Sequence, residues 1–160
     1  MMQVSTLSPC SKFRGHLWDP LMLEFVERDY PHPYPPKMSE FTRTFWVGLE
    51  QGRFLTTRGV VTGRYAFPPK PVSPCDWSEA IAWVELSGRG LLYSYTTMHA
   101  VPTAFQAEAP YRVCIVDLEE GVRLVTRLLG TEPVPLDHPI RLVAVRYSDC
   151  VSYAAKAVTG

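Results

Sequence analysis

The sequence predicts a mainly β fold whose C-terminal half closes as a small barrel. Three observations predict it. Residues 82–157 carry six runs rich in Val, Leu, Ile, Tyr and Thr, the composition of half-buried strands. Compact turn signals separate several of them, including Glu119-Glu120-Gly121 and Asp149-Cys150. Helical periodicity is found in one short stretch of the N-terminal half. Five or six short antiparallel strands within so few residues hide their edges best by closing on themselves.

Residues 1–40 read as an extended, proline-rich arm. In Asp29-Tyr30-Pro31-His32-Pro33-Tyr34-Pro35-Pro36 the prolines block helix and sheet ladders and favour extended chain. Trp18, Leu21, Leu23, Phe25 and Val26 give the arm apolar anchors. It is expected to dock, and the sequence leaves open whether on its own domain or around a partner subunit.

Residues 41–80 read as a helix followed by short hairpins. Phe41, Phe45, Trp46 and Leu49 share one helical face, Ser39 or Thr42 can cap its start, and Gly52 can end it. Strands over 53–57 and 64–67 are expected to pair across the glycine-containing turn, amid Pro68-Pro69-Lys70-Pro71 and Ser73-Pro74-Cys75-Asp76.

Residues 81–160 read as the barrel, with strands over 82–87, 90–100, 111–118, 122–129, 140–147 and 151–157. The connection from His99 to Pro110 is long and mainly apolar, and long loops in compact domains are often functional.

Charge excludes some functions. Lys plus Arg and Asp plus Glu stand at 16 each, so the formal net charge is zero. Binding through phosphates favours a basic excess, so nucleic acid is not the expected partner. No apolar run is long enough to span a bilayer, and the first residues lack the apolar core of a secretory signal, so a cytoplasmic location is expected. Cys10, Cys75, Cys114 and Cys150 are scattered without a CxxC pair and are expected as free thiols, with Cys114 in the core.

Catalytic constellations are not evident. His16, His32, His99 and His138 form no metal-binding array. His99 follows a strand containing Ser94, but there is no nucleophile elbow, and His99 reads as a strand-end or interface residue. Asp117, Glu119 and Glu120 read as a solvated turn. Ser87-Gly88-Arg89-Gly90 opens no helix and is no dinucleotide fingerprint. The aromatic set Tyr93, Tyr95, Phe105 and Tyr111 is compatible with base stacking, barrel core or partner contact, and strand alternation puts Tyr93 and Tyr95 on one face.

Several ordered motifs together resemble one family. They are Phe45-Trp46-x-Gly48-Leu49-x-x-Gly52, Phe67-Pro68-Pro69-x-Pro71-Val72-x-Pro74, and Ser87-Gly88-x-Gly90-x-x-Tyr93-Ser94-Tyr95-Thr96-x-x-His99. Ala109-Pro110-Tyr111-x-Val113 and Leu118-x-Glu120-Gly121-Val122-Arg123-Leu124 follow. Over residues 41–157 this resembles the acyl-CoA-associated OB-fold proteins, the domain-of-unknown-function thirty-five family. The resemblance implies an N-terminal helix, a rubredoxin-like zinc ribbon and an OB-fold barrel. It also implies a non-catalytic accessory subunit in a hetero-oligomer. The partner would be a thiolase-superfamily protein (a thiolase, acyltransferase or aldolase), whose acyl-CoA site this chain helps to form or gate.

The sequence departs from that family at the zinc ribbon. Its two CxxC pairs would fall at Gly59 and Thr62, and at Ser73 and Asp76, so no family position keeps a thiolate. The ribbon is therefore expected to lack metal and to be held by Phe67, Trp77, Val60, Val61 and the Pro68-Pro69 corner. No catalytic residue and no tightly bound cofactor are expected, acyl-CoA entering only at a site shared with the partner. The candidate contacts to partner or acyl-CoA are Trp46, Tyr93, Tyr95, His99, Phe105 and Tyr111. A stand-alone nucleic-acid-binding OB module is the alternative. An independent acyl-CoA enzyme is a third reading, with no residue constellation behind it.

Overall fold

The computed structural model describes residues 22–159, so the readings of Cys10, His16, Trp18 and Leu21 lie outside the described residues. Strand β1 (Glu24–Glu27) is followed by helix α1 (Arg43–Glu50) and by strands β2 (Phe54–Gly59), β3 (Tyr65–Ala66) and β4 (Ile81–Leu86). Strands β5 (Arg89–Met98), β6 (Tyr111–Leu118), β7 (Arg123–Leu128), β8 (Pro139–Arg146) and β9 (Val151–Ala157) complete the chain. A 3-10 turn, Thr103–Glu108, interrupts the connection from β5 to β6.

Strands β5 to β9 close as a barrel in the order β8-β5-β6-β7-β9, with β9 returning to β8. This is the OB-fold arrangement, and the fold is the mainly β class the sequence predicts. The expectation of purely antiparallel strands is corrected at one seam, because β7 pairs with β9 in parallel. A closed ring with an odd number of strands cannot alternate direction all the way round, so one neighbouring pair must run parallel.

Two expected element roles also change. The run at 82–87 does not enter the barrel: β4 pairs with β2 along its whole length, giving a separate sheet in the order β3-β2-β4. The arm also makes a sheet ladder, which its proline-rich reading does not predict. Residues 24–27 add to the barrel as β1, parallel to β8, from Glu24 opposite Val143 to Glu27 opposite Arg146. Phe25 and Val26 supply the apolar contacts: Phe25 packs on the main core, and Val26 covers Val143, Val145 and Tyr147 outside it. Strand β8 is therefore buried on both faces from Leu142 to Val145.

The helix forms where its periodicity predicts. Phe45 and Leu49 are buried and Phe41 and Trp46 half-buried. Ser39 and Thr42 exchange side-chain and backbone hydrogen bonds just before it, the Ser39 N–H donating to Thr42 Oγ1 at 2.9 Å and the Thr42 N–H to Ser39 Oγ at 3.1 Å. Gly52, at φ +78°, turns the chain back into β2.

An aromatic cluster joins the ribbon sheet to the barrel. Phe54 of β2 stacks on Phe67 at 5.3 Å and meets the edge of Tyr153 of β9 at 5.2 Å. Phe45 of α1 closes the group from above, 5.5 Å from Phe54 and 6.0 Å from Tyr153. Burial pushes the Tyr153 hydroxyl up to about 12. Among the described residues, no helix is long and apolar enough to cross a membrane.

Candidate functional site

An open cleft of about 990 Å³ with aromatic and charged walls lies on one side of the barrel. Its floor comes from the outer faces of β6, β7 and β9, its rims from the 3-10 turn, the β8–β9 turn and the segment 28–36. In OB folds, the face of the second and third strands and the loops beside it are the usual binding surface. The cleft lies on that face, since β6 and β7 are the barrel's second and third strands.

The charged centre of the cleft is an ion pair. Arg127 of β7 approaches Glu108 of the 3-10 turn, with Nη1 to Oε2 at 2.5 Å. The Glu108 side chain is only 8% exposed, and its oxygens find no well-directed hydrogen bond. The Arg127 guanidinium lies 4.2 Å from the centre of the Tyr111 ring and 5.4 Å from that of Phe105. Arginine suits this place because its weakly hydrated plane can stack on rings while its edge pairs with a carboxylate.

The segment 28–36 borders the cleft through contacts that the prolines cannot make. The Arg28 N–H donates to Arg146 O at 2.8 Å, and the Ser148 N–H donates to Tyr30 O at 3.2 Å. The His32 N–H donates to Asp149 Oδ1 at 2.8 Å. The His32 ring meets the edge of Tyr147 at 4.6 Å, and Tyr30 meets it at 5.7 Å. His32 Nδ1 accepts from the Tyr34 N–H at 3.0 Å, so its neutral form carries the proton on Nε2. Burial holds the His32 pKa below its ordinary value. Of the two docking modes open for the arm, residues 24–36 take their own domain.

The candidate contact residues divide. Trp46, Phe105 and Tyr111 line the cleft. Tyr93 does not, and it does not share a face with Tyr95 as alternation predicts. A bulge between Leu92 and Ser94 shifts the register of β5 against β6. Tyr95 then packs against the main core, while Tyr93 faces outward with the Arg123 guanidinium 3.9 Å above its ring. His99 is exposed just beyond the end of β5. It lies five residue steps along the strand from Ser94, roughly 16 Å at strand rise, too far for a nucleophile–base pair.

The turn carboxylates are engaged rather than merely solvated: Asp117 by Arg123, Glu119 by Arg89, and Glu120 by the Ser87 N–H at 2.6 Å. Arg28, Tyr30, His32, Glu108, Arg127 and Tyr147 also line the cleft, and the sequence reading assigned none of them to a site.

The expected ribbon positions do converge. A Cβ built on Gly59 would lie 2.5 Å from Thr62 Oγ1 and 2.8 Å from Ser73 Oγ, and those two hydroxyls are 3.4 Å apart. Asp76 is exposed and accepts from the Ser78 N–H. Zinc does not fit this set. Two neutral hydroxyls and a missing side chain supply no thiolate, and the hydroxyls occupy the space a fourth ligand stem would need. Among the described residues, no group of three His, Cys, Asp or Glu could hold a metal.

Hydroxyl-to-backbone bonds hold the ribbon. Thr56 Oγ1 donates to Ala66 O, and Thr57 Oγ1 exchanges bonds with Lys70 N–H at 2.9 Å and Lys70 O at 3.0 Å. Phe67 and the buried Pro69 pack as expected. The expectation for the other three packing residues is corrected: Val60, Val61 and Trp77 are exposed.

Comparison with known proteins gives a consistent picture. Residues 83–145 match the family model of the ChsH2 C-terminal OB-fold domain. The chain is 33% identical over 121 residues to the 3-oxo-4,17-pregnadiene-20-carboxyl-CoA hydratase alpha subunit of Mycobacterium tuberculosis, covering 74% of this chain and 38% of that one. It is 32% identical over 98 residues to a DUF35 domain-containing scaffold protein of Methanothermobacter thermautotrophicus, covering 60% of this chain and 73% of that protein. A chain of the Ltp2-ChsH2(DUF35) aldolase superposes with a TM-score of 0.68 at 28% identity, over 78% of this chain and 100% of that one. The chain thus spans less than two-fifths of the hydratase subunit and about half, 51%, of a second such scaffold protein, from Methanocaldococcus jannaschii.

Proposed function

The chain belongs to the DUF35 OB-fold family, and from that premise we propose that it is a non-catalytic accessory subunit of an acyl-CoA-processing complex. Its partner is a thiolase-superfamily protein, and the chain helps to form or gate the partner's acyl-CoA site. The relatives support a subunit role: one is named a hydratase alpha subunit, others scaffold proteins, and the aldolase chain is matched over its full length.

The observation that carries the non-catalytic reading is the state of the OB binding face. Arg127 is paired with Glu108. Arg112 is buried and donates to the backbone carbonyls of Leu129, Gly130 and Glu132. The nearby Arg123 is paired with Asp117. These three cations already have partners and Arg28 is the cleft's remaining arginine, so few charges are left to neutralise phosphates, which argues against the nucleic-acid reading. The same face brings together aromatic rings and one ion pair, without a nucleophile beside a base.

The test is co-expression with the thiolase-like protein encoded nearest to it. Co-purification as a stoichiometric complex is expected, with partner activity or stability raised by this chain. Failure to associate, together with a fully active partner alone, overturns the proposal. Salt-dependent binding of single strands would favour the alternative.

The same reading holds the ribbon to be metal-free. Metal analysis of the purified protein is expected to give well under one zinc per chain. One zinc per chain that survives dialysis against a chelator would overturn this.

A further inference from the structure

The tip of the ribbon is built from two turns of the same design. The Gly63 N–H donates to Gly59 O at 2.9 Å, and the Trp77 N–H donates to Ser73 O at 2.9 Å. Gly63 and Trp77 therefore hold equivalent positions, and both are left-handed, at φ +68° and +56°. Glycine adopts this conformation at no steric cost, whereas a bulky side chain is an outlier there.

The second turn thus carries one of the least suitable residues for its backbone. Packing within the described chain does not compensate, because Trp77 is 79% exposed. Val60 and Val61 of the first turn are also exposed, at 64% and 77%. A strained and uncovered aromatic residue in one turn and two uncovered valines in the other disfavour the isolated chain, and such strain tends to persist at functional sites.

Building on the proposed function, we infer that the ribbon tip is a docking surface, with Trp77 as the anchor inserted into an apolar socket of the partner subunit. Tryptophan is enriched among the few residues that dominate interface energetics. Charge narrows the socket further. Arg58 and Arg64 flank the valine turn and make no ion pair with a carboxylate among the described residues, whereas Asp76 is the acidic neighbour of Trp77. The socket that fits has carboxylates opposite the valine turn and none opposite Trp77. The positions that the family resemblance assigns to metal ligands and this exposed tryptophan lie in the same pair of turns.

The experiment compares the parent chain with Trp77→Gly, Trp77→Asn and Trp77→Phe, each co-expressed with the thiolase-like protein of the proposed complex. Gly and Asn both tolerate the left-handed turn, so the unfolding midpoint of the chain alone should hold steady or rise by about 2 °C. Affinity for the partner should fall on the order of thirtyfold, while the Phe variant keeps part of it.

If Trp77 instead packs the fold, the midpoint falls in the Gly and Asn variants, and the inference is overturned. If the parent and all variants retain the partner equally, the inference fails while the accessory-subunit reading stands. If the parent retains no partner, both fall. Sedimentation of the parent alone covers the remaining occupant: a dimer dispersed by Trp77→Gly would assign the surface to a second copy and overturn the hetero-partner inference.

Discussion

Phe54→Ala is expected to lower the stability of the chain by about 4 kcal/mol, within the range for deleting a fully buried ring. Phe54 has no exposed surface, and its ring is held between Phe45, Phe67 and Tyr153. Those neighbours come from the helix, the ribbon segment and the last barrel strand. A cavity there removes the contact by which the ribbon sheet and the barrel share one core. Such a loss is a large part of the 5–15 kcal/mol typical of a small domain.

Urea unfolding followed by tryptophan emission measures it, and Phe54→Leu should cost less because most of the volume remains. A loss under about 1 kcal/mol for the alanine variant would show that the site collapses and that the ribbon does not depend on this joint. The same variant should weaken partner binding if the ribbon's orientation matters, since the docking tip lies on the sheet that Phe54 anchors.

Much of this architecture is written in local patterns. Strands β6 and β9 have the limits their composition predicts, Tyr111–Leu118 and Val151–Ala157, because alternation and turn residues bound them on both sides. The helix face is also legible, since Phe45 and Leu49 repeat at helical spacing.

What local patterns could not tell was which strand partners which. The run at 82–87 has ordinary strand composition, and only its long pairing with β2 assigns it to the ribbon. Strand β1 is four residues long and precedes a proline-rich segment, and its partner β8 lies more than a hundred residues away. The bulge that turns Tyr93 away from Tyr95 has no signature in the sequence, because both residues suit either face.

The cleft was legible in part. Phe105 and Tyr111 stood out because aromatic residues in a long loop and at a strand start are conspicuous. Glu108 and Arg127 did not, because an isolated acidic residue and an isolated strand arginine each look like surface. Their pairing is set by the 3-10 turn folding back over β7. The ribbon gave the opposite lesson. Gly59, Thr62, Ser73 and Asp76 were recognised as positions, and three of them meet in space, but which residues were packed inside could not be read from apolar character alone. Trp77 and Val61 point outward, whereas the polar Thr56, Thr57 and Ser73 are fully covered.

Arg127→Met should be the most damaging substitution in the cleft, and more damaging than removing its partner. The Glu108 side chain is 8% exposed and Arg127 is 23% exposed, so the carboxylate is the more deeply desolvated member. Removing the arginine leaves a buried carboxylate without its ion-pair partner, beside Phe105, Tyr30 and Tyr147. Breaking a buried pair in this way costs roughly 3–5 kcal/mol, and the partial exposure of Arg127 places the expected loss near 3 kcal/mol.

Glu108→Gln instead leaves a guanidinium that still stacks on Tyr111 and reaches solvent, and about 1 kcal/mol is expected. The double variant should be more stable than Arg127→Met alone, because the stranded charge is gone, with a coupling energy of about 1–2 kcal/mol. Equilibrium unfolding of the four proteins closes the cycle. Equal losses for the two single variants, or no coupling between them, would mean that the pair is an ordinary surface contact. The cations of the binding face would then be available to an anionic ligand, and the argument against phosphate recognition would lose its footing.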